Sequence, residues 1–284
     1  MKVAVIGANG QLGVDVVAAF RAAGHDVAEL NHDRLDVVDL DGCRSVLGDA
    51  RPALVINTSA MHHVDKCEAD PARAFAVNGM GARNLALLAR ELDHALVHVS
   101  TDYVFDGAKR APYVETDLPR PLNVYGNTKL SGELFVATLA PRHFVVRTCG
   151  LFGGAPCRAK GGLNFPRLML KLARERGMVR VVDDEHVAPT YTVDLAQALL
   201  GLTATTHYGL YHAVSTGGCS WYELARHVFE LTGTPVDLQQ AAPGEFPAKV
   251  PRPLYSVMDN GKLAAAGVCM PTWQDALTRF LRAG

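Results

Sequence analysis

The sequence predicts an α/β fold: a doubly wound parallel sheet followed by a smaller C-terminal lobe. Three observations carry this. Short apolar runs alternate with helical patterns through the first half, the opening run leads into a glycine-rich turn and a helix, and past Gly150 the alternation gives way to glycine pairs and prolines. Runs this apolar belong to strands covered on both faces. Right-handed crossovers then give a parallel sheet whose ligand edge lies at the strand carboxyl ends.

The first predicted strand runs from Val3 to Ile6, and Gly7, Gly10 and Gly13 follow it before an apolar helical pattern through Val14, Val17, Ala18 and Phe20. Gly7 can take backbone angles closed to other residues, Gly10 lets the main chain approach a pyrophosphate, and Gly13 lets helix and strand pack closely. The unmatched N–H groups at the helix start would face the phosphates. The three-and-three spacing is a variant of the dinucleotide fingerprint, so the fold expected is Rossmann-type. Further strands are predicted over His25 to Leu30, Ala53 to Thr58, Ala95 to Ser100 and His143 to Thr148, with helices over Pro71 to Leu92 and Tyr125 to Leu139. Their carboxyl ends present Ser59 and Ala60, Thr101, and Thr148. Beyond Gly150 the pattern predicts a helix from Asn164 to Arg176, a strand from Val179 to Val182, a helix from Thr192 to Leu202, a strand from Tyr208 to Val214 and proline-rich stretches near 243 to 253. The expected division is a dinucleotide-binding domain over 1–150 and a substrate-binding lobe over 151–284, with about 189–214 packing back on the first domain.

Composition narrows the functions. Lysine and arginine total 28 against 29 acids, with no basic stripe, so neither nucleic acid nor an anionic membrane is an expected partner. No run approaches the roughly 20 apolar residues of a membrane span, and the first strand begins at Val3, so a cytoplasmic protein is expected. Six cysteines without paired Cys-x-x-Cys spacing fit reduced thiols.

Tyr125 and Lys129 carry the chemistry. Four residues apart on a helix, they share one face about a turn apart, so the ammonium can lie near the phenol. A free phenol, with a pKa of about 10, is a poor acid until a nearby cation stabilises its phenolate. Lys129 and the positive ring of an oxidised nicotinamide would supply that charge. Thr101, two dozen residues upstream, completes the set.

Six markers in order then resemble the dTDP-4-dehydrorhamnose reductase family of the extended short-chain dehydrogenase/reductase superfamily. They are Gly-Ala-Asn-Gly-Gln-Leu-Gly at 7–13, Val-Asp-Lys-Cys-Glu at 64–68 with Ala-Phe-Ala-Val-Asn at 74–78, and Ser-Thr-Asp-Tyr-Val-Phe-Asp-Gly at 100–107. Downstream stand Pro-Leu-Asn-Val-Tyr-Gly-Asn-Thr-Lys at 121–129, Val-Val-Asp-Asp-Glu with Pro-Thr-Tyr-Thr-Val-Asp-Leu-Ala within 181–196, and Arg-Pro-Leu-Tyr-Ser at 252–256. The resemblance implies NADPH- or NADH-dependent reduction of a nucleotide-linked 4-keto sugar by a monomer or homodimer. It implies Tyr125 as proton donor, Lys129 on the nicotinamide ribose, Thr101 on the substrate carbonyl, and Asp102 and Tyr103 on the sugar. Cofactor contacts are expected from Gly7, Asn9, Gly10, Gln11, Leu12, Ser59 and Ala60, with Asp36 and Val37 at the adenine; Asp36 equally reads as a loop acid.

Two departures stand out: Arg147-Thr148-Cys149-Gly150-Leu151 lacks the tryptophan that family members commonly carry near the sugar, and the loop after the third strand reads Met61-His62-His63. Both bear on the sugar rather than the reaction. Asn31 stands where an NAD-selective enzyme carries an acid, and Arg34 could reach a 2′-phosphate, so both cofactors stay open with a lean to NADPH. Arg252 reads as a fork for the substrate diphosphate or as a surface arginine. Asn164 reads as a nucleotide contact or an ordinary helix cap. His62, His63 and Cys67 read as a substrate-facing loop in preference to a metal site, and no metal is expected. The competing functions are an epimerase and a non-catalytic, cofactor-binding regulatory subunit. A dehydratase is disfavoured, because Tyr103 occupies the place of the glutamate those relatives use.

Overall fold

The computed structural model describes residues 1–157, 161–242, 244–246 and 249–283; positions 243, 247 and 248 of the proline-rich stretch lie outside the described residues. A six-stranded sheet is built from β1 (Lys2–Ile6), β2 (Asp26–Leu30), β3 (Leu54–Asn57), β4 (Ala95–Thr101), β5 (His143–Thr148) and a strand at Gly209–His212. Its order is Gly209–His212, β5, β4, β3, β1, β2, and every neighbouring pair is parallel. The predicted strands all appear, with their ends displaced by no more than two residues. Strand order reverses between β1 and β3, which opens a crevice above their carboxyl ends.

Alternation along the strands divides the apolar side chains into two cores. In β1, Val3 and Val5 pack with α1 (Gln11–Ala22) and the helix Thr192–Thr203. Ala4 and Ile6 pack with α2 (Leu40–Ala50) and the helices Gly81–Glu91 and Val124–Leu139. Both faces are therefore covered, as an apolar parallel sheet requires. A third core joins the helices Phe165–Arg176, Trp221–Thr232 and Trp273–Ala283 in the second half. Gly209–His212 comes from that half yet pairs with β5 through Tyr211 opposite Val146.

The single helix predicted from Pro71 to Leu92 is interrupted. A short helix at Pro71–Ala74 runs into a π-helical turn at Phe75–Met80 before the helix Gly81–Glu91. The cause is tertiary. Asn78 is buried, donates to Met61 O and Thr128 Oγ1 at 2.9 Å each, and accepts from Met61 N at 2.9 Å, so the turn widens around it. Helix α2, capped by Asp39 on Gly42 N at 3.0 Å, and the helices Trp221–Thr232 and Trp273–Ala283 are additional to the sequence reading. Among the described residues no helix is long and apolar enough to cross a membrane.

Candidate active site

The glycine-rich turn sits at the mouth of the crevice. Gly7 has φ +76°, and a Cβ on it would lie 2.9 Å from Thr58 Oγ1 at the end of β3. At Gly13 a Cβ would lie 2.1 Å from Gly7 O, so only glycine lets α1 start this close to the turn. Gly10 caps α1 without a side-chain hydrogen bond, and the buried Gln11 Nε2 has no partner among the described residues. An uncapped helix start beside an unpartnered donor fits a pyrophosphate anion. Leu12 is buried in the core behind it.

Asn31, at the end of β2, accepts the Asn9 backbone N–H at 2.9 Å. Its carbonyl therefore holds the turn, and what remains for a ligand is the NH2 donor. Arg34 beside it is exposed and makes no ion pair among the described residues, leaving its charge available to a phosphate. Asp36 accepts Val38 N at 3.1 Å and lies 3.9 Å from Arg73, while the carbonyl of buried Val37 accepts Asn84 Nδ2 at 3.0 Å. Ser59 and Ala60 follow β3, and Ser59 donates both its N–H and its hydroxyl to Asn57 Oδ1.

Thr101, Asp102, Tyr103 and Tyr125 come together at the carboxyl end of β4. The helix Val124–Leu139 is capped by Asn123, which accepts Gly126 N at 2.9 Å and donates to Pro251 O at 2.9 Å. Gly126 lets this helix abut the turn after β4, since a Cβ there would lie 2.2 Å from Tyr103 O. Thr101 donates to Asp102 Oδ1 at 3.0 Å and accepts Tyr103 N at 3.2 Å, and its hydroxyl lies on the side of the Tyr125 phenol. The Tyr103 and Tyr125 rings meet edge to face, 5.7 Å between centroids. Burial pushes both phenols above their ordinary pKa, and for Tyr125 the neighbouring Thr101 opposes the rise. Burial likewise raises the Asp102 carboxyl, against hydrogen bonds from Ser256, Cys149 and Thr101.

Lys129 lies one turn beyond Tyr125 and is 2 % exposed. The sequence places its ammonium beside the phenol, whereas its hydrogen-bond partners are Val99 O at 2.6 Å and His98 Nε2 at 3.3 Å. The long side chain reaches back to the sheet because a buried amino group takes the acceptor within range. Burial lowers its pKa to about 8, with the nearby Glu133 carboxylate opposing. Glu133 is itself held by Arg147 through Nε at 2.9 Å and Nη2 at 2.7 Å, and by the Ser100 hydroxyl at 2.5 Å. Asn57, His98, Ser100, Glu133 and Arg147 escaped sequence reasoning. The available signal is polar side chains inside runs apolar enough to be buried strands.

Of the remaining candidates, Arg252 buries its Nε without a partner among the described residues, and its charge opposes the rise that burial gives the pKa of Glu185, which accepts Trp221 Nε1 at 3.2 Å. Asn164 takes its capping alternative: it accepts Arg167 N at 3.2 Å and donates to Gly153 O at 2.8 Å, so both ends of the amide are committed to the fold. Cys67 turns its thiol to Met61 O at 3.2 Å, and His62 Nε2 lies 3.7 Å from Cys157 Sγ. Among the described residues no group of three or more His, Cys, Asp or Glu is arranged to hold a metal.

A glycine-cornered crevice at a strand-order reversal, with threonine, tyrosine and lysine along its edge, defines an extended short-chain dehydrogenase/reductase. The family model described as the RmlD substrate binding domain matches residues 1–284. The chain is 39% identical over 283 residues to the dTDP-4-keto-6-deoxy-D-glucose reductase of Streptomyces niveus, covering 97% of this chain and 94% of that one. It is 36% identical over 281 residues to the spore coat polysaccharide biosynthesis protein SpsK of Bacillus subtilis, covering 99% and 97%. The crystal structure of dTDP-4-dehydrorhamnose reductase from Bacillus anthracis in complex with NADP superposes with a TM-score of 0.94 at 35% identity, covering 100% of this chain and 99% of that one. The chain belongs to the dTDP-4-dehydrorhamnose reductase, or RmlD, family.

Proposed function

We propose that the protein uses NADPH to reduce the ketone of a dTDP-linked 4-keto-6-deoxyhexose, with dTDP-4-keto-L-rhamnose as its substrate. The observation that carries the assignment of roles is the gathering of Thr101, Tyr103 and Tyr125 at the carboxyl end of β4, with the two rings 5.7 Å apart and Tyr125 one helical turn ahead of buried Lys129. NADP on the Bacillus anthracis relative, together with an amide at position 31 and an unpaired Arg34, supports NADPH. Six free thiols fit a reducing compartment, and we assign the enzyme to the cytoplasm.

NADPH, when bound, would supply the hydride for the ketone carbon. The protein handles the oxygen. Thr101 orients the carbonyl by its hydroxyl, and Tyr125 gives its phenolic proton to the oxygen as negative charge builds there. Lys129 holds the nicotinamide ribose. Asp102 and Tyr103 line the sugar site, and the open Nε of Arg252 takes a diphosphate oxygen.

General acid catalysis of this kind contributes on the order of a hundredfold to ten-thousandfold. Tyr125→Phe should lower kcat by that factor while NADPH binding, followed by fluorescence, stays intact. Turnover at the wild-type rate in this variant, read as loss of reduced-nicotinamide absorbance with a dTDP-4-keto sugar, would overturn the assignment.

A further inference from the structure

Beneath the site, a chain of buried polar groups runs from β3 through β4 to Lys129. Asn57 and His98 are directly opposite in the β3–β4 register and are 3% and 1% exposed. Ser59 fixes the Asn57 amide: a backbone N–H can only donate, and that of Ser59 points at Oδ1 from 3.1 Å. The NH2 of Asn57 must therefore face His98, where its Nδ2 lies 3.2 Å from Nδ1. A donor at that position makes Nδ1 the acceptor, and a neutral imidazole with Nδ1 bare carries its proton on Nε2. His98 is neutral, because burial pushes its pKa far down.

That proton points at Lys129 Nζ, 3.3 Å away. An ammonium has three hydrogens and no lone pair, so it meets Nε2–H donor against donor. A free amine accepts Nε2–H and still donates one of its own hydrogens to Val99 O. Gly132, on the facing helix, makes room for the contact, since a Cβ there would lie 3.1 Å from His98 Nε2. We propose that Asn57 and His98 are positioning residues that hold the imidazole as its Nε2–H tautomer, so that in the cofactor-free protein Lys129 is a readily deprotonated amine rather than a fixed cation.

The other charges around Lys129 do not cancel this. Glu133, one turn on, favours the ammonium but is spent on Arg147 from β5 and Ser100 from β4. Tyr125, one turn back, lies by Thr101 and Asp102, and burial keeps the phenol protonated. The lowering of Lys129 by burial acts in the same direction as the tautomer. The tie between this charge state and turnover rests on the role given to Lys129 above; the tautomer and the titration stand without it.

The test is spectroscopic and uses the cofactor-free protein. Long-range proton–nitrogen spectra of histidine-labelled protein report which His98 nitrogen is protonated, and the Lys129 Cε shift, identified by its loss in Lys129→Met, reports titration. The expected result is a bare Nδ1 and a Lys129 midpoint at or below about 8. Asn57→Leu is nearly isosteric and uncharged, and it frees the ring to turn a bare Nε2 to the ammonium. It should flip the tautomer and raise the proton affinity of Lys129 about tenfold, one pH unit. A protonated Nδ1 in the wild type, or a Lys129 midpoint near the ordinary lysine value of about 10.4, overturns the proposal even if the variant does not fold. Failure of the Tyr125→Phe test leaves these spectra unchanged, so the two readings fall separately.

Discussion

Arg252 shows how much of this site is decided by single atoms. Its Nε is buried and has no partner among the described residues, a state that costs stability unless a ligand acceptor reaches it. Lysine at this position keeps the charge and loses the planar fork. A charge-assisted hydrogen bond is worth about 1.5–3 kcal/mol, so Arg252→Lys should raise KM for the nucleotide sugar roughly tenfold to a hundredfold with a smaller change in kcat, measured by steady-state kinetics. Gly13 is the steric counterpart. A Cβ there would lie 2.1 Å from Gly7 O and 2.8 Å from Ala8 Cα, both backbone atoms that no rotamer change can move. Gly13→Ala should cost about 1–3 kcal/mol or more of stability, read from denaturant unfolding, and weaken NADPH binding by displacing the turn.

At the scale of elements, the helix Val124–Leu139 is anchored to the sheet through one buried ion pair. Glu133 and Arg147 are 6% and 3% exposed in their side chains, and the fork between them ties the helix to β5. Glu133→Gln leaves the guanidinium buried without its counter-charge, a loss of about 3–5 kcal/mol that urea unfolding should register. The same comparison shows what a single sequence discloses. The strands were legible because their apolar runs are local and end at turn residues, and Gly7, Tyr125 and Lys129 because their spacing is local too. The break at Phe75–Met80 was not, because it depends on Asn78 meeting Met61 and Thr128, which are brought together only by folding. The partner of Lys129 stayed hidden for the same reason: His98 lies on a neighbouring strand, and nothing in the Tyr-x-x-x-Lys interval points to it.

For the molecule as a whole, buried histidines give stability a direction with pH. His212 is fully buried, with one ring nitrogen unpartnered among the described residues, and burial, reinforced by the Arg147 charge, lowers its pKa to about 3. In the unfolded chain it titrates at about 6.5, so between these values the unfolded state binds the extra proton. Its contribution is complete above pH 6.5 or so and is lost as pH falls toward 3, at about 1.4 kcal/mol per pH unit. His212→Asn should remove that part of the slope, seen as a flatter plot of unfolding free energy against pH in this window. The strand that ends with His212 has a further consequence. Because Gly209–His212 pairs with β5 from far downstream, a nascent chain leaving the ribosome leaves the longer β5 as the uncovered edge until nearly three quarters of the chain has been made. Premature termination anywhere before that strand yields a product with unsatisfied main-chain donors and acceptors, the kind of edge that recruits other chains into aggregates.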